Sequence, residues 1–350
     1  MQTVSIVMTT YNGGKFLGEQ LSSLADQIYP NLELIISDDG STDNTMEIVD
    51  EFRRTAKFPV VVRRNNARLG YAENFLSATK LATGEFLAFC DQDDKWRPEK
   101  LAIAVEALMQ SKADLFVHAA TLIDATGSEI GYFSQGICKS ATLEPLQLGP
   151  WAVFYGCSMV FPRQLLELID SCYRGAHTFE FEGALSHDLW VYFLATSLGR
   201  VVVDSRPLIA YRQHPSNQTP HVRASWLRAW WSAAGVAAHP KLARSSIAHH
   251  RGRLLEDLSK STSRPIVRQA AMRAAQYWRR ISRYEHMRVE FYAAAGLSRR
   301  TFGWTRLVLE GGYLRFEKGG LGWQLSVKDL LVGVWRARRP KRKMNVVNQR

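Results

Sequence analysis

Residues 86–96 have the sequence FLAFCDQDDKW. Its first five residues are apolar, as expected for a strand buried in the middle of a sheet. The run then ends in three carboxylates within four positions, Asp91, Asp93 and Asp94. Like charges this close repel each other unless a positive group lies among them. The stretch therefore predicts a buried strand that brings a cluster of acids to a site containing a cation.

The residues before this stretch repeat the same pattern of strand and helix. The apolar runs VSIVM (4–8), LELIIS (32–37), PVVV (59–62) and EFLAFC (85–90) are each followed by apolar residues at helical spacing. After the first run these are Leu17, Leu21, Leu24 and Ile28. Four such units of about thirty residues predict parallel βαβ crossovers. We expect an α/β sheet with helices on both faces.

Polar clusters follow the predicted strands at the points where the strands end. These clusters are TTYN (9–12), SDDGSTD (37–43) and DQDD (91–94). In open α/β sheets, ligands bind outside the carboxyl ends of the strands. The sequence contains neither GxGxxG nor GxxxxGK[ST], so no glycine-rich loop is available to hold phosphates. The acids at 91–94 therefore predict a hard divalent cation, Mg²⁺ or Mn²⁺, that bridges a diphosphate.

The charge is distributed unevenly along the chain. The formal net charge is +12, but residues 224–350 hold 26 Lys and Arg against 7 Asp and Glu, a net charge of +19. The first 223 residues carry a net charge of −7. A shift this large predicts a domain boundary near Arg223, between an acidic domain (1–223) and a basic one (224–350).

The remaining composition restricts the class of protein. The four cysteines show no CxxC spacing, which argues against a disulfide framework or a structural zinc site. No apolar run of about 18 residues predicts a transmembrane helix, and the N-terminal residues show no basic n-region of a signal peptide. We expect a reducing, cytoplasmic environment.

The order of five motifs resembles a known enzyme family. VSIVMTTYN, LIISDDGSTDNT, GEFLAFCDQDD, HDLW and YRQHPSN together resemble family 2 glycosyltransferases, and more narrowly their non-processive, rhamnosyltransferase-like bacterial members. The resemblance covers roughly residues 1–220 and implies the GT-A fold, a mixed sheet flanked by helices that binds a nucleoside-diphosphate sugar. The QxxRW motif of processive synthases is absent, so the resemblance implies transfer of one sugar per encounter.

The resemblance also implies residues that bind the nucleotide. Tyr11 would lie against the base, and Asp38 or Asp39 would accept the imide N–H of uracil or thymine; the sequence leaves open which of the two does so. Glu19 would reach the ribose or the base, and Arg212 the diphosphate. The full set implied for the nucleotide sugar is Thr10, Tyr11, Asn12, Glu19, Asp38, Asp39, Asp91 and Arg212. The alternative for Thr10 and Asn12 is that they cap the following helix.

Metal ligands and a catalytic base are implied at other positions. Asp93 and Asp94 would bind the metal, with His214 as a further ligand. Asp188 in HDLW would be the general base that removes the proton of the acceptor hydroxyl, in a reaction that inverts the anomeric centre. The alternative is that Asp188 only caps its helix.

The basic remainder allows more than one interpretation. It contains seven of the ten tryptophans among Arg-rich helical stretches, a composition that suits an anionic membrane surface. We therefore expect the protein at the inner face of the cytoplasmic membrane, acting on a glycan or lipid-linked glycan acceptor. The alternatives are a helical bundle with a solvated basic face, and a catalytically silent scaffold that grips nucleic acid. The acids at 91–94 and 188 disfavour the scaffold, so no nucleic-acid partner is expected.

Overall fold

A computed structural model describes residues 2–178, 183–215 and 238–335. The predicted boundary near Arg223, Trp226, Trp230, Trp231 and the basic tail after Trp335 lie outside these residues. The chain folds into two compact units. The first unit consists of residues 1–221 and 250–277, and the second of residues 222–249 and 278–350. The division of the chain at residue 223 stays a prediction.

Among the described residues of the first unit, ten strands form one sheet. They are β1 (Val4–Thr10), β2 (Leu32–Asp38), β3 (Val60–Arg64), β4 (Phe86–Cys90), β5 (Lys95–Trp96), β6 (Leu115–Ile123), β7 (Glu129–Phe133), β8 (Ala141–Leu143), β9 (Val160–Pro162) and β10 (Val201–Arg212). Their order is β3-β2-β1-β4-β9-β6-β10-β5, with β7 beside β6 and β8 beside β10.

Strands β1 to β4 pair in parallel, as the four strand–helix units predict. Strand β9 then pairs antiparallel with β4 and β6, so the complete sheet is mixed. Strands β1, β2 and β4 are buried along almost their whole length. Because both faces of a parallel sheet are covered by helices, such strands need continuous apolar runs. The mixed sheet with flanking helices confirms the predicted GT-A fold.

In the part of the chain that the structure describes, five α-helices lie between these strands: α1 (Leu17–Ala25), α2 (Thr45–Thr55), α3 (Tyr71–Ala78), α4 (Lys100–Ser111) and α5 (His187–Leu198). Leu17, Leu21 and Leu24 are buried on the inner face of α1, as predicted. The prediction that Ile28 continues this face is wrong, because the helix ends at Ala25 and the Ile28 side chain is 65% exposed.

The basic C-terminal region is helical, as predicted. It contains α6 (Ala238–Ser261), α7 (Pro265–Ala293), α8 (Leu297–Leu309) and α9 (Trp323–Lys328). Helix α9 continues into a short π-helix at Asp329–Val334. In the part of the chain that the structure describes, no helix is both long enough and apolar enough to cross a membrane.

Candidate active site

The site forms where β1, β2 and β4 end side by side. Strand β1 lies between β2 and β4, so the loops after these three strands meet at one edge of the sheet. Gln92 joins two of them: its side-chain oxygen accepts the Tyr11 backbone N–H at 2.9 Å, and its amide donates to the Tyr11 carbonyl at 3.2 Å. The predicted nucleotide loop and the carboxylate loop 91–94 are thus joined directly.

The structure brings together two of the predicted metal ligands, Asp93 and His214. His214 Nε2 lies 2.7 Å from Asp93 Oδ2, and the His214 ring packs 4.9 Å from the ring of Phe16, centroid to centroid. Residues 121 positions apart in sequence become neighbours because β10 ends next to the carboxylate loop. An imidazole and a carboxylate in contact can bind one divalent cation together.

Asp94, the third predicted ligand, lies deeper and beside Asp91. Asp94 is fully buried, and its Oδ1 accepts the backbone N–H of Arg212 at 3.0 Å. Its Oδ2 is buried without a hydrogen-bond partner in the described chain. Possible ligand atoms of Asp91, Asp94 and Cys157 lie within 4.8 Å of one another. A buried oxygen without a partner, next to a second carboxylate, fits a hard cation, so Asp94 and Asp91 suit Mg²⁺ or Mn²⁺, whereas the Cys157 thiol is not a ligand that these ions prefer.

The electrostatics of this cluster favour a positive neighbour. Burial, followed by the charges of Asp93 and Asp188, raises the pKa of Asp91 to about 7. Burial, followed by the charges of Asp93 and Asp91, raises the pKa of Asp94 well above its usual range. The Cys157 thiol is neutral, because burial raises its pKa. Ionised carboxylates in this cluster are therefore costly until a cation balances them.

Arg212 holds the carboxylate loop in place. Its guanidinium is buried and donates to the Asp93 carbonyl at 2.8 Å and to Glu19 Oε2 at 3.0 Å. Burial alone would raise the pKa of Glu19, but Arg212 and Lys95 outweigh it and lower that pKa. The predicted nucleotide contacts of Glu19 and Arg212 stay predictions; in this structure the two side chains bind each other and support the loop.

Sequence reasoning did not identify Lys100, which lies on the first turn of α4. It is fully buried, donates to the Cys157 carbonyl at 2.7 Å and lies 3.4 Å from the centroid of the Trp96 ring. Burial lowers the pKa of Lys100 to about 8, against the opposing pull of Asp94 and Asp91. The sequence signal for this burial was that Lys100 stands four residues before the apolar Ala104. Residues four apart share a helix face, and Ala104 is buried.

Asp38 and Asp39 are both buried and both hydrogen-bonded within the protein. Asp38 accepts from Thr10 Oγ1 at 3.0 Å and from the backbone N–H groups of the Gly40–Ser41 turn. Asp39 accepts the N–H groups of Leu69 and Gly70 at 2.7 and 2.8 Å. Asp38 therefore shapes its own turn, and Asp39 holds the loop before α3. Which of them faces a base stays open.

Tyr11 is the exposed aromatic residue of the predicted nucleotide pocket. Its side chain is 39% exposed, and the Arg68 guanidinium lies 3.9 Å from the ring centroid. Asn12 next to it has φ 47°, and its Oδ1 accepts the Thr42 N–H at 2.9 Å. Asn12 therefore fixes the turn that presents Tyr11, while Arg68 is a second residue that the sequence did not indicate.

The predicted base, Asp188, lies in the first turn of α5. Its Oδ1 accepts the Leu189 N–H at 2.8 Å and a hydrogen bond from Ser186 Oγ. Ser186, and not Asp188, occupies the N-cap position. The charge of Asp188 contributes to the raised pKa of Asp91, after burial and the charge of Asp93.

His187 supports Asp188 from an aromatic pocket. Its ring stacks on Phe75 at 4.1 Å and meets Phe89 edge-on at 4.8 Å. Burial lowers the pKa of His187 to about 4, so the ring is neutral at neutral pH. A Cβ on Gly156 would lie 2.9 Å from His187 Nε2 and 3.4 Å from the Asp188 Cβ. The glycine lets the turn at 156–158 approach the start of α5 closely.

Comparisons with known proteins agree with this geometry. Residues 5–169 match the model of the glycosyl transferase family 2. The abequosyltransferase RfbV of Salmonella typhimurium is 37% identical over 116 residues, which are 33% of this chain and 34% of that protein. The dTDP-rhamnosyl transferase RfbG of Shigella flexneri is 28% identical over 223 residues, 60% of this chain and 73% of that protein.

A solved structure has the same fold. The crystal structure of S. aureus TarS 1–349 in complex with UDP-GlcNAc superposes with a TM-score of 0.53 at 18% identity, covering 89% of this chain and 93% of the other. The chain spans about a third of the length of RfbV and 52% of a second relative, the uncharacterized glycosyltransferase alr2836 of Nostoc. From its motifs, its sheet and these similarities, this chain contains a glycosyl transferase family 2 domain over residues 5–169 and has the GT-A fold.

Proposed function

We propose that the protein is an inverting, metal-dependent glycosyltransferase. It transfers one sugar from a nucleoside-diphosphate sugar to a precursor of a cell-surface polysaccharide or lipopolysaccharide. The observation that carries this proposal is the carboxylate loop at the end of β4, where Asp93 contacts His214 and the buried Asp94 Oδ2 has no hydrogen-bond partner in the described chain. A base on one side of the cleft and a phosphate-binding cation site on the other are what a single displacement at a sugar carbon requires.

The residues divide the work of this reaction. The acceptor hydroxyl binds at Asp188, whose carboxylate is oriented by Ser186 and by the Leu189 N–H. Asp188 accepts the hydroxyl proton while the acceptor oxygen attacks the anomeric carbon from the face opposite the diphosphate, so the configuration inverts. Neutral His187 fixes the start of α5 and takes no proton. A divalent ion at Asp93, Asp94 and His214 would supply positive charge to the departing diphosphate.

The donor is a uracil or thymine nucleotide of a hexose in this proposal, with dTDP-rhamnose and UDP-hexoses as the candidates. Two relatives support this class by name: RfbG is a dTDP-rhamnosyl transferase, and WfaP of Escherichia coli, 31% identical over 134 residues, uses UDP-Glc. The name of WfaP also states its acceptor, a GlcNAc-diphosphoundecaprenol. A lipid-linked glycan is therefore the favoured acceptor class for this chain.

A panel of nucleotide sugars tests the donor class. We expect the purified chain with Mn²⁺ to hydrolyse dTDP-rhamnose or a UDP-hexose slowly without acceptor, and CDP-sugars not at all. The reason is that an aspartate which accepts the imide N–H of uracil or thymine finds no such donor on cytosine. The measurement is release of nucleoside diphosphate with and without EDTA. Release that is equal for all donors, or unaffected by EDTA, would contradict the proposal.

The second unit carries exposed apolar side chains that suit a membrane surface. On α8, Phe302 and Leu309 are 72% and 82% exposed, and their spacing of seven places them on one helix face. Trp323 and Trp335 are 67% and 62% exposed. Bulky apolar side chains on a strongly basic region are typical of proteins that insert into the headgroup layer of an anionic bilayer. In this proposal the protein attaches peripherally to the inner face of the cytoplasmic membrane.

Vesicle binding tests this attachment. The double variant Phe302→Ser/Leu309→Ser should bind vesicles of phosphatidylglycerol and phosphatidylcholine at least about tenfold more weakly, because two side chains no longer leave water. High salt should release the native chain from the vesicles, since the Debye screening length falls to about 3 Å at 1 M salt.

The matched control is Ile266→Ser on α7 in the first unit, where the isoleucine is 84% exposed. Its vesicle affinity should equal that of the native chain. Equal affinity of the double variant and the control would refute docking through α8. Tight, salt-sensitive binding to DNA without affinity for vesicles would favour the nucleic-acid scaffold instead.

A further inference from the structure

A groove in the second unit has no role in the reaction proposed above. Its volume is about 590 Å³, and all its lining residues belong to the second unit. On α6 they run from Leu242 to His249 and on α7 from Arg279 to Glu290, at spacings that place them on one face of each helix. Arg306 of α8 completes the lining. The groove therefore forms where three helices meet.

A pair of serines holds α6 and α7 together at this groove. Ser245 Oγ donates to the Ser282 carbonyl at 3.0 Å, and Ser282 Oγ donates to the Ser245 carbonyl at 2.9 Å. Both serines line the groove, and small side chains at a contact let two helices pack closely. The shape of the groove is therefore fixed by hydrogen bonds between the helices that form it.

Three arginines give the groove its charge. Arg279 and Arg283 lie one turn apart on α7, and Arg306 lies on α8. The Glu310 carboxylate pairs with Arg283 at 2.5 Å and with Arg306 at 2.9 Å, so it holds two guanidiniums near each other. Two guanidiniums carry more N–H donors than one carboxylate can accept. Donors therefore remain for a second anion.

The chemistry of the lining fits a phosphate group. Glu290 is the acid among the lining residues, and His286 lies 3.7 Å from it. Three arginines against one glutamate leave the lining positive. Phosphate oxygens accept the N–H groups of guanidinium in a forked geometry, and serine hydroxyls can donate to the same oxygens. Because the arginines are clustered, an anion with more than one negative charge, such as a diphosphate, suits the groove best.

Apolar side chains beside the arginines indicate that the phosphate belongs to a lipid. Arg306 shares one face of α8 with Phe302 and Leu309, four residues before it and three after it. Both apolar side chains are exposed, and so is Leu242 in the lining of the groove. A free phosphate has no use for such residues, whereas an amphiphile with an apolar chain buries them.

We propose that this groove binds the diphosphate of a lipid-linked glycan. Arg279, Arg283 and Arg306 bind the phosphate oxygens, and Phe302 and Leu309 contact the lipid chain. The identity of this lipid as the acceptor of the reaction rests on the function proposed above. The affinity of the groove for a lipid diphosphate does not, because it depends on residues of the second unit alone.

Binding of farnesyl diphosphate to the full chain tests the site. Calorimetric titration is carried out in EDTA without nucleotide, so that no metal ion holds a diphosphate at the carboxylate loop. The double variant Arg279→Gln/Arg283→Gln should bind at least about tenfold more weakly, because charge-assisted hydrogen bonds are lost.

The matched control is Arg53→Gln/Arg273→Gln, which removes the same charge from exposed positions on α2 and α7. It should bind like the native chain. Equal affinity of the two double variants would overturn the proposal. If the groove variant does not fold, Arg306→Gln on α8 decides in its place: weaker binding than in the control supports the site, and native affinity overturns it.

Three other probes identify the source of the phosphate. Inorganic diphosphate lacks the apolar chain, and dioctanoyl phosphatidylglycerol carries a single negative charge. Both should bind at least about tenfold more weakly than farnesyl diphosphate. Equal binding of either would overturn the assignment to a lipid diphosphate. Tighter binding of a short DNA duplex that is lost in the groove variant would overturn it in favour of nucleic acid.

The outcomes separate this site from the proposed reaction. Binding of farnesyl diphosphate that depends on the groove arginines, without metal-dependent donor hydrolysis, would count against the proposed function alone. Donor hydrolysis without such binding would overturn the lipid-diphosphate site alone.

Discussion

Replacing Asp93 by alanine is expected to abolish sugar transfer and to weaken binding of UDP or dTDP in the presence of Mn²⁺. Asp93 contacts His214, and the loop carbonyl of the same residue is held by Arg212. The proposed cation is bound by both Asp93 and His214. Removing the Asp93 carboxylate weakens binding of this cation, so the diphosphate loses its counter-charge. EDTA should have the same effect on the native protein. Full activity in EDTA would refute the metal site.

Stability separates this loss from misfolding. Asp93 is a like charge beside Asp91 and Asp94 and contributes to the raised pKa of both. We therefore expect Asp93→Ala to leave the melting temperature in EDTA unchanged or higher, because it removes repulsion. Asp50→Ala on α2 is the matched control and should keep both activity and nucleotide affinity. Unchanged nucleotide affinity in Asp93→Ala would show that the diphosphate is bound elsewhere.

Replacing Asp188 by asparagine is expected to lower acceptor-dependent turnover by roughly 10²–10⁴, the range typical for loss of a general base. Asparagine has the same size and still accepts the hydrogen bonds from Ser186 and the Leu189 N–H, but it cannot take a proton from the acceptor. Affinity for the donor nucleotide and the melting temperature should therefore stay near the native values. The three quantities should be measured on the same preparation.

A capping role for Asp188 predicts a different result. Asparagine caps a helix about as well as aspartate, so turnover would then stay nearly native. Asp170→Asn is the control, because Asp170 is an exposed carboxylate that accepts the backbone N–H of Cys172 at 2.9 Å. Normal turnover in Asp188→Asn would exclude it as the base and direct attention to Glu180 and Glu182, which lie outside the described residues.

Much of the fold follows from local sequence pattern. The apolar runs at 4–8, 32–37 and 85–90 correspond to buried strands, because their residues are mostly apolar and need cover on both faces. The end of α1 was less predictable. Ile28 continues the helical spacing, yet the chain leaves the helix at Ala25, and the spacing of apolar residues cannot show where the backbone turns away.

The sequence predicted many of the residues of the candidate site, but only part of the way in which they contact one another in space. The carboxylate loop could be recognised because three acids directly after an apolar strand are unusual, whereas Tyr11 and Asp188 were indicated by the resemblance of their motifs to the family. Lys100 and Gln92 were not, because a lysine in a predicted helix is usually solvated and a glutamine between acids carries no specific signal. Arg212 was recognised, but its buried contacts with Glu19 and the Asp93 carbonyl were not.

The class of sheet, the position of the acids at the strand ends and the basic character of the C-terminal region could all be predicted from the amino-acid sequence. These properties depend on hydrophobic periodicity and charge, which can be counted along the chain. Only the tertiary structure decided which charges meet. Strand β10 brings Arg212 and His214 to the loop at 91–94, and the packing of α4 buries Lys100 against the Cys157 carbonyl and the Trp96 ring. Electrostatic energy depends on distance and on burial in space, and neither is encoded in the separation of residues along the chain.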